Sequence, residues 1–134
     1  MNRTLILVKP DHSARGLTGE IISRFERKGL RIRALKRMEV SVETAERHYE
    51  EHRGKEFFEP LISFITGGPL VALILEGDRA VEAARQIIGA TDPVDAAPGS
   101  IRGAFAVETR TNLVHGSDSP ESAEREAGIF FPEL

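Results

Sequence analysis

One histidine, His115, stands in the run Asn112-Leu113-Val114-His115-Gly116-Ser117-Asp118-Ser119-Pro120, a stretch rich in glycine and hydroxyls that leads into a helix start. A neutral imidazole can attack a phosphoryl group through its free lone pair with no proton removed first, so histidine is a competent nucleophile at pH 7 where serine needs a base. Ser119 reads as the N-cap, Pro120 as the first helical residue, and Glu121 and Glu124 as the acids of the first turns. A helix N-terminus favours the neutral ring and draws in an anion. Lys9, Arg85 and Arg102, at the ends or flanks of predicted elements, add the positive charge that phosphate chemistry requires. Each residue also has a plainer reading: His115 as a loop histidine satisfied by nearby hydroxyls, Lys9 as a solvated strand end, Arg85 as a helix-surface residue, Arg102 as a loop charge. Residue chemistry alone leaves both readings open.

Other phosphate and metal signatures are missing. The 12 glycines never stand two apart, which excludes the dinucleotide fingerprint and the protein-kinase glycine loop, and G-x-x-x-x-G-K-[ST] and G-x-S-x-G are absent too. His48 and His52 are spaced i, i+4 on a predicted helix, as metal ligands can be. The intervening Tyr49-Glu50-Glu51 is not H-E-x-x-H, however, and no third ligand is evident, so the pair reads as a solvated helical face.

The elements that must position these groups are legible from hydrophobic patterning. Leu5–Val8 and Leu70–Leu75 are short continuous apolar runs, as strands buried on both faces should be. Leu17, Ile21 and Phe25 recur at helical spacing, with Thr18 as a possible cap and Gly29 just past the end. Leu30 to Val40 alternates as an outer strand, and Val42–His52 and Phe57–Ile65 read as two short helices. Asp78 can cap a further helix striped by Val81, Ala84, Ile87 and Ile88 and closed by Gly89, and Phe105-Ala106-Val107 reads as a last short strand. Strand, helix, strand, helical insertion, strand, helix, strand is the split βαβ, ferredoxin-like pattern of the α+β class: an antiparallel sheet under helices on one face, with a helical insertion. The stretch 90–100 has no periodicity and has the length at which structureless loops are usually functional or disordered.

Composition sets the bounds. With 134 residues, 40% hydrophobic and 29% charged, residues 1–134 are expected to form one globular domain, and disorder is excluded. The absence of cysteine removes thiol nucleophiles, thiolate zinc sites and iron–sulfur clusters and fits a reducing compartment. Met1–Val8 runs into Lys9-Pro10 rather than through a leader, and nothing approaches the roughly 18 apolar residues of a membrane helix, so no membrane partner is expected and the cytoplasm is the expected location. A net charge of −3 does not advertise a polyanion partner.

Nearly the whole chain resembles the nucleoside diphosphate kinases. Asn112–Ser119 looks like that family's N-x-x-H-G-S-D signature. It arrives with Leu7-Val8-Lys9-Pro10-Asp11, Arg15-Gly16-Leu17, Gly19-Glu20-Ile21-Ile22, Phe57-Phe58, Gly68-Pro69, Thr91-Asp92-Pro93, Pro98-Gly99, Ile101-Arg102-Gly103 and Glu121-Ser122-Ala123-Glu124 in the family's order. The resemblance implies ping-pong transfer of the γ-phosphate of a nucleoside triphosphate to a nucleoside diphosphate (ATP, GTP, ADP, GDP and others) through a phosphohistidine on His115. Carried over position by position, Arg85, Thr91 and Arg102 would hold the transferring and β-phosphates. Lys9 would reach the γ-phosphate and the sugar 3′-hydroxyl, and Asn112 the ribose. Phe57 would stack on the base, Tyr49 would lie near the nucleophile, and Glu126 would accept a hydrogen bond from the far ring nitrogen of His115. Mg²⁺ would come with the nucleotide, with Asp118 touching it through water. The family also implies a homo-oligomer, hexamer or tetramer.

Departures from the family pattern are Arg110-Thr111, Ala104, His12 and a short tail after Phe131; none removes a group named above. Two other readings compete: a ferredoxin-like regulatory module without catalysis, against which His115 and Lys9 both stand, and a nucleic-acid binder. The negative charge, the dispersed arginines and the lack of an aromatic RNP-type strand argue against the second, so no specific nucleic-acid partner is expected.

Overall fold

The computed structural model describes residues 2–10, 15–109 and 113–134; Asn112 and the departures at His12, Arg110 and Thr111 lie outside the described residues. Four strands, β1 (Asn2–Val8), β2 (Arg31–Met38), β3 (Leu70–Gly77) and β4 (Val114–Gly116), form one antiparallel sheet in the order β2-β3-β1-β4. Around it, among the described residues, lie six helices: α1 (Thr18–Arg27), α2 (Val42–His48), α3 (Phe58–Ile65), α4 (Ala80–Ile88), α5 (Ile101–Phe105) and α6 (Pro120–Phe130). This is the expected split βαβ order, with α2 and α3 as the helical insertion.

The two apolar runs are the central strands, and their continuity dictates coverage on both faces rather than one. Leu5 and Leu7 with Leu70, Ala72 and Ile74 pack against α2, α3 and α6 through Ala45, Ile62, Ala127 and Phe130. Ile6 and Val8 with Leu73 and Leu75 pack against α1, α4 and α5 through Ile21, Phe25, Ala84, Ile88 and Ile101. A single helical layer would have left one of these rows in water, at about 25 cal/mol per Å² of apolar surface. The edge strand β2 alternates exposed and half-buried, as its sequence predicted. Among the described residues no helix is long and apolar enough to cross a membrane.

Several local expectations are corrected. Phe105-Ala106-Val107 is not a strand: Ser100 accepts the Gly103 N–H at 3.0 Å and starts α5, which carries the chain to Phe105, and Val107 is exposed. The fourth strand is Val114–Gly116, set by its pairing with β1. Thr18 and Asp78 do not cap their helices; Leu17 and Arg79 occupy those positions without a side-chain capping bond. The predicted helix 42–52 ends at His48 and continues as a 3₁₀ turn, Glu50–His52. The stretch 90–100 is ordered by another 3₁₀ turn, Pro93–Asp95, capped by Asp92 on the Val94 N–H at 3.1 Å.

The entry to α5 has no room for a side chain at Gly103. A Cβ there lies 1.9 Å from the Ala97 carbonyl oxygen and 2.7 Å from its carbon, and backbone cannot rotate away. Gly103→Ala is expected to lose about 1–3 kcal/mol in urea unfolding. Gly99→Ala, whose Cβ meets nothing within 4 Å, should lose less than about 0.5 kcal/mol. Equal stabilities would show that the 97–103 turn yields freely.

Candidate active site

His115 sits on β4 opposite Leu7, not in a turn at the helix start, so its ring projects onto the face covered by α2, α3 and α6. Helix α6 begins as the sequence predicted, with Ser119 accepting the Ser122 N–H at 3.1 Å and Pro120 in the first turn. That start turns Glu126 inward with Ala123, Ala127 and Phe130. Its Oε1 stands 3.1 Å from His115 Nε2 and accepts the Ser117 hydroxyl at 2.7 Å, while Ser117 Oγ takes the Leu5 N–H at 3.2 Å. Burial raises the Glu126 pKa, but the hydrogen bonds and charges of His115 and Ser117 outweigh it and hold the carboxyl below its usual range. An ionised carboxylate only accepts, so Nε2 carries the ring proton. Nδ1 keeps its lone pair and has no hydrogen-bond partner among the described residues.

Three cations surround this histidine. Lys9 follows the last residue of β1, its N–H bonded to Leu113 O at 2.9 Å, and its ammonium is pushed down to about 8 by burial and then by Arg102. Arg102, on α5, donates to Gly89 O at 3.1 Å and Val114 O at 2.7 Å; burial and then Arg85 push it down to about 10. Arg85, in the last turn of α4, donates to Gly116 O at 3.3 Å and pairs with Asp118 at 2.9 Å. The two arginines therefore hold the carbonyls on either side of His115.

These groups line one cleft of about 620 Å³, together with Tyr49, Phe57, Thr91, Asp118, Glu126 and His115. Every sequence-predicted site residue except Asn112, which is not among those described, faces this space. Tyr49 is buried, and burial followed by Glu126 pushes its phenol up to about 12, so it stays protonated. Phe57 stands at the rim, 42% exposed, with the His52 ring 5.0 Å away and the Lys55 ammonium 5.7 Å from its centre.

Two residues of the site were missed or misread. His48 is not on a solvated face: it is 4% exposed, its ring lies edge-on to His115 at 4.7 Å, and Nδ1 is 4.0 Å from Glu126 Oε2. Burial first, then the His115 charge, pushes His48 down to about 3. The signal was its spacing from Ala45, which with Tyr49 makes an i, i+3, i+4 stripe. His52 is not its helical neighbour, since α2 ends at His48. Ser117, which the sequence offers as a hydroxyl near His115 and an alternative phosphoryl acceptor, instead braces Glu126, and strand alternation places it on the same side as His115.

The nucleoside diphosphate kinase family model matches residues 2–134. Curated proteins of that name from Parafrankia sp. and Nocardia farcinica are 64% and 62% identical, the first covering 98% of this chain and 96% of its own, the second likewise 98% and 96%. Among solved structures, a nucleoside diphosphate kinase family protein from Babesia bovis superposes with a TM-score of 0.95 at 46% identity, over 99% of this chain and 90% of that one. A halophilic nucleoside diphosphate kinase from Halobacterium salinarum in complex with CDP superposes with a TM-score of 0.93 at 48% identity, over 97% of this chain and 87% of its own.

Lys9 sets a pH dependence of definite sign. Its folded-state pKa of about 8 lies below the ordinary 10.5, so between these values the unfolded chain binds more protons and stability rises with pH. Below the window both states hold the proton and the burial penalty is complete. The unfolding free energy is expected to climb relative to that of Lys9→Met across this window; parallel curves would mean a solvated ammonium.

Proposed function

Because the chain belongs to the nucleoside diphosphate kinase family, and so transfers a γ-phosphate from a nucleoside triphosphate to a nucleoside diphosphate through a phosphohistidine, we propose that His115 is the histidine that carries it. The observation that supports this most is the pairing of Nε2 with ionised Glu126 while Nδ1 is left with a lone pair among three cations. In the first half-reaction the Nδ1 lone pair forms the N–P bond as the bond to the β-phosphate oxygen breaks, and the diphosphate leaves. The ring becomes cationic, and the Glu126 carboxylate stabilises it through the Nε2 proton. A second diphosphate then takes the phosphoryl group by the reverse path.

Phosphoryl transfer leaves a protein mainly positioning and charge to supply. Arg85, Arg102 and Thr91 hold the transferring and β-phosphates, Lys9 the γ-phosphate and the sugar 3′-hydroxyl, and Asn112 the ribose. Phe57 offers a face to any base, and neutral Tyr49 can donate its hydroxyl beside the nucleophile. Nucleotide kinases generally need a divalent cation, and Mg²⁺ fits: Asp118 is 71% exposed at the cleft, a hard oxygen donor with one oxygen taken by Arg85. When bound with the nucleotide, Mg²⁺ neutralises charge on its phosphates. Residues 1–134 act on this reading as one catalytic domain, in the cytoplasm and in a homo-oligomer.

Incubation with γ-labelled ATP is expected to label the protein with an adduct labile in acid and stable in base, as a P–N bond is, and His115→Ala should lose both label and turnover. A labelled His115→Ala protein would move the chemistry elsewhere. Glu126→Gln keeps the shape and removes the charge opposite the ring, so kcat should fall roughly 10–100-fold; an unchanged rate in a folded variant would show that the pair does not act in catalysis.

A further inference from the structure

Three groups at the base of the cleft have a geometry that phosphoryl transfer does not by itself require. His48, His115 and Glu126 each offer a ligand atom, and these atoms all lie within 4.8 Å of one another. We propose that His48, His115 and Glu126 form a binding site for a borderline divalent transition metal, zinc above all, and that its occupation shuts the resting enzyme.

The donor set selects the metal. Two imidazoles and one carboxylate suit Zn²⁺, with bonds of about 2.0–2.2 Å and an open fourth position, whereas Mg²⁺ demands six oxygens and keeps its waters. Tetrahedral bonds of that length set ligand atoms about 3.4 Å apart. Glu126 Oε1 stands 3.1 Å from His115 Nε2 and its Oε2 4.0 Å from His48 Nδ1, and with one ligand atom from each residue within 4.8 Å of the others, closure takes about 1–2 Å of side-chain movement. His48 provides the independent observation. Its side chain is 1% exposed and neither ring nitrogen has a hydrogen-bond partner among the described residues, an unfavourable state for buried polar atoms that a metal relieves. Burial also keeps this ring neutral, so no proton has to leave it.

Inhibition follows whichever nitrogen of His115 is taken. Nδ1 is the attacking atom; Nε2 is the one whose bond to Glu126 leaves Nδ1 its lone pair. This half of the proposal rests on His115 as the phosphorylated residue, and the binding half does not.

Calorimetric titration of the full chain with ZnCl₂ is expected to show one ion per chain. Co²⁺ at the same site should give the intense visible bands of a four-coordinate ion, and His48→Ala should weaken Zn²⁺ binding about tenfold or more. His52→Ala, beside the cleft but outside the triad, should bind as the wild type does. Turnover with excess Mg²⁺ should fall as Zn²⁺ fills the site, and this sensitivity should be lost in His48→Ala. Unchanged binding in His48→Ala, a weak six-coordinate Co²⁺ spectrum in the wild type, or dependence on His52 in place of His48 would overturn the site. Full occupation without loss of turnover would overturn the inhibition. Calorimetry and absorption need no catalysis, so failure here is separable from failure of the His115 assignment.

Discussion

Glu126 is an ionised carboxylate taken largely out of water, and the arrangement of the site follows from what that burial demands. Removing a carboxylate from solvent costs several kcal/mol unless donors replace the water. Two donors do so, Ser117 Oγ and His115 Nε2, and both belong to the segment that runs through β4. That segment can present them only while paired to β1, and the Leu5 N–H to Ser117 Oγ bond ties the side-chain network into the ladder. Helix α6 must in turn start at Ser119 for position 126 to face inward. One buried charge thus couples sheet register, helix start and the protonation pattern of the imidazole.

The cations are held against their own electrostatic interest. Burial lowers both Lys9 and Arg102, and a neighbouring cation lowers each further, Arg102 acting on Lys9 and Arg85 on Arg102. On the proposed reading, a phosphate chain entering this cleft would bring negative charge among these cations. The price is stability, which the packed sheet beneath tolerates because both its faces are covered. Arg85 shows the same logic at lower burial: Asp118 pairs with it where it is more exposed, and the same pair ties the residues after β4 to α4.

Much of the scaffold was legible because its signals are local. The runs Leu5–Val8 and Leu70–Leu75, the stripe Ile21/Phe25, and the Ser119-Pro120 start each declare an element within a few residues. The strand that carries His115 was not legible: Val-His-Gly has no periodicity to read, and only its partner Leu7, more than a hundred positions away, makes it a strand. The misreading of His48 has a related origin. Polar residues on both sides of it made the helix look solvated, and the burial comes from β4 and α6, which local pattern does not contain. The family resemblance reached residues that the fold gathers in one cleft because it compares whole strings, but it named His48 no better than the pattern did.

The contiguity of His-Gly-Ser-Asp has a physical basis in the pleat. Alternation sends His115 and Ser117 to the face where Glu126 waits, one as donor to the carboxylate through Nε2 and the other as the brace that fixes it. Position 116 faces the opposite layer, where a Cβ would lie 2.5 Å from Ile88 Cδ1, so glycine lets α4 pack close enough for Arg85 to reach the Gly116 carbonyl. Position 118, past the strand, meets the same arginine with its carboxylate. Upstream, Leu113 adopts φ 75, a left-handed conformation that a leucine holds only when its surroundings enforce it, and its carbonyl accepts the Lys9 N–H. The residues from 113 to 118 thus answer four elements between them: β1 beside them, α6 on one face, and α4 and α5 on the other. Shifting the string by one position would exchange the faces, bringing His115 among the apolar side chains around Ile88 and leaving Glu126 buried without a donor.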